Sequence, residues 1–387
     1  MRGYALLTVV VVAALFGGYQ LAFAGDSEPA AQSGVSGGTH TTDDPPSSST
    51  GGTSTGSSGG TSQPAVRYRA PRPFPGFLMI ADRGNDRAIL VDGRKHILWR
   101  YPKPGHAPSM PFYYDDDVFF TPGYGSIISN QEDQETIEVI SFPRGRLLWH
   151  YGHVNAVGSS PGYMNNPDDA YMLPDGRMTV ADTRNCRILV FAARSQRISR
   201  QYGQVGNCGH DPPHVLASPN GDTPMPNGGM LISEIGGSWI DAISKSGRLL
   251  WSVKAPMAYP SDAQPLPNGR ILVADYSDPG HVVIMDRHGH VFWKYGPSSG
   301  PGMLNHPSLA MMLPNGLIAV NDDYRDRVVL IDPRTSRIVW QYGHTDQPGT
   351  APGYLNTPDG MDFLPLSVAL AHQQVHRLVR RSLIRVR

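Results

Sequence analysis

The chain has 387 residues, and its 33 Lys and Arg balance 33 Asp and Glu, so the formal charge is zero. That balance removes any general electrostatic attraction to nucleic acid, and no nucleic-acid partner is expected. The 43 Gly and 35 Pro are what a domain with many short turns requires.

Residues 1–24 form an export element: Arg2 precedes an apolar run broken mainly by Gln20, and Ala22, Phe23 and Ala24 before Gly25 fit a small-residue cleavage site. The run is also long enough to cross a bilayer, so the segment reads as a signal peptide or an uncleaved N-terminal membrane anchor. Either one places the rest of the chain outside the cytoplasm, secreted or anchored at the outer face of the membrane. No cysteine follows the run, which argues against a lipid-modified N-terminus. Residues 25–66 are almost all Gly, Ser, Thr, Pro and Ala, too poor in large apolar side chains to offset the entropy of ordering. They read as a disordered linker that tethers the C-terminal domain.

From 67 to 366 one pattern recurs, clearest in residues 306–343. An apolar run at 309–313 leads through Pro314, Asn315 and Gly316 to a second run, an Asp-rich loop, a third run, and a fourth ending at Trp340 and Tyr342. Those are four short strands with near-continuous apolar runs, as expected where both faces are covered. A proline recurs at Pro167, Pro219, Pro260, Pro307 and Pro358, with Asp115 in its place once. The fourth strand repeats Trp99, Trp149, Trp251, Trp293 and Trp340, with Arg200 as the exception. The first unit lacks an innermost strand and the last, residues 357–366, has only that strand. The fold class is therefore all-β: a six-bladed β-propeller in which the C-terminal strand completes the N-terminal blade, removing free sheet edges.

Cys186 opens a third strand and Cys208 lies in the connection after the fourth. A four-stranded meander brings both to one face, and an exported chain oxidises them, so a Cys186–Cys208 disulfide is expected. Asp82 with Arg87, Asp182 with Arg187 and Asp322 with Arg327 recur at one spacing, which reads as a hairpin clamp rather than a site, because a scaffold repeats what a site breaks.

The linkers Gly162-Tyr163-Met164-Asn165-Asn166-Pro167, Gly302-Met303-Leu304-Asn305-His306-Pro307 and Gly353-Tyr354-Leu355-Asn356-Thr357-Pro358 resemble the opening of NHL repeats. The fourth strands also resemble the Trp-containing repeat of PQQ-type quinoprotein propellers. Those enzymes usually have eight blades, and their adjacent-cysteine signature is missing from the sequence, so the quinoprotein reading ranks last. The NHL-type resemblance implies a binding scaffold.

The positions that break symmetry carry the functional expectations. At the start of the innermost strands the aligned residues are, in blade order, Asp117, Asp169, Gly221, Asp262, Leu309 and Gly360. The residues before them are Asp116, Asp168, Asn220, Ser261, Ser308 and Asp359. Carboxylates converging on the channel mouth repel one another unless a cation or shared protons relieve them, and calcium, a hard ion taking oxygen ligands, is the cofactor candidate. Capping of backbone amides is the competing reading. His153, His210, His214, His306 and His344 lie in or near linkers on the same face, where three imidazoles can hold a transition metal. Tyr163, Tyr276, Tyr324 and Tyr354, together with His306, are the expected ligand-binding residues, and Tyr113, Tyr114 and Tyr259 lie nearby. Residues 367–387 contain no acidic side chain and alternate Arg with apolar residues, a basic amphipathic tail that either lies on an anionic membrane or docks on the propeller.

Two functional classes emerge. One is an envelope-tethered module binding a protein or a cell-envelope glycan. The other is a divalent-cation-dependent hydrolase or lyase with its site at the channel mouth. No Gly-x-Ser-x-Gly elbow occurs and the cysteines are expected to be paired, so no catalytic nucleophile is assigned.

Overall fold

A computed structural model describes residues 67–386. The export element at 1–24 and the linker at 25–66 lie outside the described residues. Six four-stranded antiparallel sheets form the blades of a propeller. From the innermost strand outward, blade 2 is Asp115–Phe120, Ser126–Gln131, Thr136–Ser141 and Leu147–Gly152. Blade 3 is Pro167–Met172, Met178–Asp182, Arg187–Phe191 and Ile198–Gly203, and blade 4 is Pro219–Gly221, Met230–Glu234, Trp239–Ile243 and Leu249–Lys254. Blade 5 runs Pro260–Pro265, Ile271–Asp275, His281–Met285 and Val291–Tyr295, and blade 6 runs Ala310–Met312, Ile318–Asp322, Arg327–Asp332 and Arg337–Gly343.

Blade 1 closes the ring. Its innermost strand is the C-terminal Pro358–Pro365, antiparallel to Gly76–Asp82 with Met361 opposite Ile80, then come Arg87–Val91 and Ile97–Tyr101. Blade 2, the poorest copy in sequence, is complete, and Asp115 faces Gln131 just as Pro167 faces Asp182 in blade 3. The second strands are buried along their whole length, such as Met178–Asp182 and Ile318–Asp322, which is why their sequences are apolar without alternation. Outermost strands have one wet face and alternate, as Val291–Tyr295 does.

Each tryptophan of the repeat sits opposite one third-strand position: Leu90, Val139, Ala242, Ile284 and Leu330 face Trp99, Trp149, Trp251, Trp293 and Trp340. Arg200 occupies that place opposite Val190. Side chains from adjacent blades interleave. Val180 and Leu189 of blade 3 share a cluster with Ile128 and Val139 of blade 2, and each fully buried aliphatic side chain contributes about 1.5–3 kcal/mol of transfer free energy.

The basic tail docks on the propeller. Two short helices, Leu366–Ala371 and Gln373–Val379, bury Ala369, Val375 and Val379 in a cluster with Phe77, Trp99 and Phe112. A strand, Ile384–Val386, then pairs antiparallel with Arg67–Arg69. Arg380, Arg381 and Arg385 remain exposed, and among the described residues no helix is long and apolar enough to cross a membrane.

Candidate functional site

A repeated clamp shapes the linker face. Arg87, Arg187 and Arg327 each donate Nε to the Oδ2 of Asp82, Asp182 and Asp322, at 2.5, 2.6 and 2.6 Å. The other oxygen of each aspartate accepts the amide of a linker residue, Asn356, Asn165 and Asn305, at 2.7–2.8 Å. The guanidinium groups reach linker carbonyls as well, among them those of Tyr354, Tyr163 and Met303. The clamp therefore fixes where each linker hands the chain to the next innermost strand, and through that where the side chains of the channel mouth point. The disulfide joins Cys186 to Cys208 on this face, with a Cα–Cα distance of 5.2 Å.

All six residues that precede the aligned innermost positions line one cavity of about 70 Å³: Asp116, Asp168, Asn220, Ser261, Ser308 and Asp359. Arg83, Glu132, Tyr259 and Tyr276 complete its wall. Sequence reasoning missed Arg83 and Glu132. Arg83 donates Nη1 to Asp116 at 2.5 Å and to Asp359 at 2.7 Å, and Nη2 to Glu132 at 2.5 Å. Those carboxylates hold its proton more tightly than an arginine in water does. Burial pushes the Asp116 carboxyl well above the ordinary range, helped by Asp359 and opposed by Arg83. Burial and Glu132 push Asp168 the same way.

One layer deeper, Asp117, Asp169 and Asp262 converge. Burial drives the first two well above the ordinary range, and neighbouring carboxylates push the same way, Asp359 on Asp117 and Asp117 on Asp169. Thr223 and Gln264 each donate to Asp262 at 2.8 Å. Two glycines in this layer make room: a Cβ at Gly360 would lie 2.1 Å from Asp117 Oδ1, and one at Gly221 would lie 2.6 Å from Ser233 Oγ. Part of the relief expected of a cation thus comes from Arg83. Oxygens of Asp116, Asp117 and Asp168 still lie within 4.8 Å of one another.

The aromatic residues divide. Tyr276, His306 and Tyr324 pack together beside the mouth, His306 lying 4.7 Å from Tyr276 and 4.5 Å from Tyr324 between ring centroids. Tyr259 joins them, 5.4 Å from Tyr276, while Tyr324 is 53% exposed. Tyr163 and Tyr354 instead pack against the histidines of their own linkers, His153 and His344, at 4.6 and 4.1 Å. Among the described residues no three histidines converge. Arg83, Glu132 and Tyr276 each come directly after the clamp position of their blade, where blades 3 and 6 have Thr183 and Asp323. That second asymmetric ring was readable in the sequence from the same alignment.

The family model described as "Outer membrane protein assembly factor BamB", a PQQ-type repeat, matches residues 187–356, less than half of the 387-residue chain. The chain is similar to PQQ-type propeller repeats. The match falls on blades 3 to 6 and does not confirm the NHL-type likeness of the linkers. No protein of curated function matches the sequence. Among solved structures, a protein of unknown function from Bacteroides caccae is 20% identical, with a TM-score of 0.53 over 75% of this chain and 99% of its own. A chain of a nidogen/laminin complex, 12% identical, gives 0.50 over 75% of this chain and 98% of its own. A virginiamycin B lyase from Staphylococcus aureus, 13% identical, gives 0.45 over 65% and 77%. At these identities the first two likenesses establish the propeller fold and nothing about activity.

Proposed function

We propose that the protein is an extracytoplasmic binding module, secreted or anchored at the outer face of the membrane, that takes a cationic side chain of a protein partner at the channel mouth. One observation carries this reading: the cavity walls present Asp116, Asp168, Asp359 and Glu132 against the single guanidinium of Arg83, with tyrosines at the rim. An excess of carboxylate in a half-desolvated pocket attracts a Lys or Arg head, and the ring faces of Tyr276 and Tyr324 supply cation–π contact. A neutral glycan satisfies the tyrosines and leaves the carboxylates unpaired. The disulfide fits an oxidising compartment, and the description of the matched family as an assembly factor accords with a binding role.

The test is calorimetric titration of the full chain with short Lys- and Arg-containing peptides and with uncharged cell-wall oligosaccharides. Peptide binding that falls with added salt, and falls again in Asp168→Asn and Tyr324→Ala, is the expected result. Saccharide binding without peptide binding would move the reading to a glycan module. A second reading, a calcium-dependent hydrolase or lyase, draws on the Asp116, Asp117 and Asp168 oxygens. It requires stoichiometric calcium whose removal by chelator lowers the melting temperature, and a chain that stays calcium-free in millimolar calcium sinks it.

A further inference from the structure

Blade 4 lacks the Asp–Arg clamp. Where blades 1, 3 and 6 set Asp against Arg at the ends of the second and third strands, blade 4 sets Glu234 against Trp239. His210, from the loop after blade 3, takes the arginine's place: its Nδ1 lies 2.8 Å from Glu234 Oε2, which also accepts the Ala217 amide at 2.9 Å. Two residues along the third strand, Asp241 faces Ser252 across the register, and Ser252 Oγ lies 3.1 Å from His210 Nε2. Asp241 therefore projects to the same side of the sheet as the imidazole. One donor atom from each of His210, Glu234 and Asp241 lies within 4.8 Å of the other two.

A second observation separates this group from an ordinary acidic cluster. Asp241 is fully buried, and neither of its carboxylate oxygens has a hydrogen-bond partner; Glu234, equally buried, leaves Oε1 without one. Buried carboxylates facing one another with no donor between them are costly unless a cation joins them. The group is also held in place. Trp239 stacks flat on the imidazole at 4.1 Å and 8°, and the Cys186–Cys208 bridge anchors the loop two residues before His210. The His210 side chain is 21% exposed, which leaves an ion a way in.

We propose that His210, Glu234 and Asp241 bind a divalent transition-metal ion, with Ser252 or water completing the set. One imidazole nitrogen with two carboxylate oxygens suits zinc, which takes three protein ligands and an open fourth position. Calcium wants six to eight oxygens and magnesium keeps most of its water, so neither fits a compact site with a nitrogen donor. The site is separate from the channel mouth and stands or falls independently of the function proposed there.

The experiment is zinc titration of the full chain by calorimetry, with elemental analysis after desalting, on wild type, Asp241→Asn, His210→Ala and Glu138→Gln. Glu138 is the control, a buried carboxylate two residues into the third strand of blade 2, the place Asp241 has in blade 4. Wild type and Glu138→Gln should take one equivalent, and the two site variants should bind roughly tenfold or more weakly. Asp241→Asn keeps the shape of the side chain and removes a buried charge, so its fold survives, as near-ultraviolet circular dichroism will show. Should His210→Ala unfold, a zinc-dependent rise in melting temperature present in wild type and lost in Asp241→Asn decides alone. A folded wild type that takes no zinc, or equal affinity in Asp241→Asn, overturns the proposal.

Discussion

Replacing Arg83 with methionine removes the only guanidinium lining the mouth cavity and keeps most of the side chain's volume. Three hydrogen bonds to carboxylates, at 2.5, 2.5 and 2.7 Å, disappear, and Asp116 and Asp359 remain 3% and 6% exposed with their charge uncompensated. Breaking a buried ion pair from one side costs about 3–5 kcal/mol; the Arg83 side chain is 16% exposed, which favours the lower end. For a domain of this size, unfolding entropy near 0.7 kcal/mol/K turns about 3 kcal/mol into a fall of roughly 4–5 °C in melting temperature. The loss should depend on pH. Without the guanidinium the Asp116 carboxyl rises further above the ordinary carboxylate range, and such a group adds stability at low pH that is lost as pH climbs through the folded value. Calorimetric or circular-dichroism melts at pH 5 and pH 8 should show a small deficit in the acid and the full one in the base. Equal melting temperatures at pH 8, or a larger deficit at pH 5, would refute the assignment of Arg83 as the charge that holds the mouth together.

Other outcomes rest on the same structure. Glu138 is fully buried, neither of its oxygens has a partner, and burial pushes it up to about 8, so the stability present in acid is lost progressively as pH climbs from the ordinary carboxylate range through that value. Glu138→Gln should therefore raise stability at pH 9, on the order of 3 kcal/mol, and leave it nearly unchanged at pH 5 in denaturant titrations. Opening the disulfide with Cys186→Ser and Cys208→Ser frees a loop of sequence separation 22 and should cost about 3 kcal/mol of unfolding free energy. Arg187→Ala breaks a buried clamp that also holds the carbonyls of Ser159 and Tyr163, and should cost about 3–5 kcal/mol and loosen the linker, seen as faster amide exchange at Asn165. Tyr324→Ala exposes little new surface, so its melting temperature should stay within about 1 °C of wild type while peptide affinity falls.

The sequence determined the architecture because the repeat is local. Four runs per unit, a proline or Asp115 at each innermost strand and a tryptophan on each outermost one but that of blade 3 fix blade number, strand order and register, and residues 357–366 had only one sheet left to complete. The same alignment placed Asp116, Asp168 and Asp359 in one ring, since equivalent positions in a closed propeller meet at its axis. What lies between those side chains was decided only in three dimensions. Arg83 is 276 residues from Asp359 and 33 from Asp116, and a guanidinium reaching sideways across blades leaves no mark in the spacing of any one repeat. Tyr276, His306 and Tyr324 meet while Tyr163 and Tyr354 stay in their own linkers, although all four tyrosines look alike in sequence. The tail kept two readings until Ala369, Val375 and Val379 found apolar surface to cover. Periodicity reports which residues are equivalent; contact between inequivalent residues depends on how the ring closes, and the chemistry of the mouth is made of such contacts.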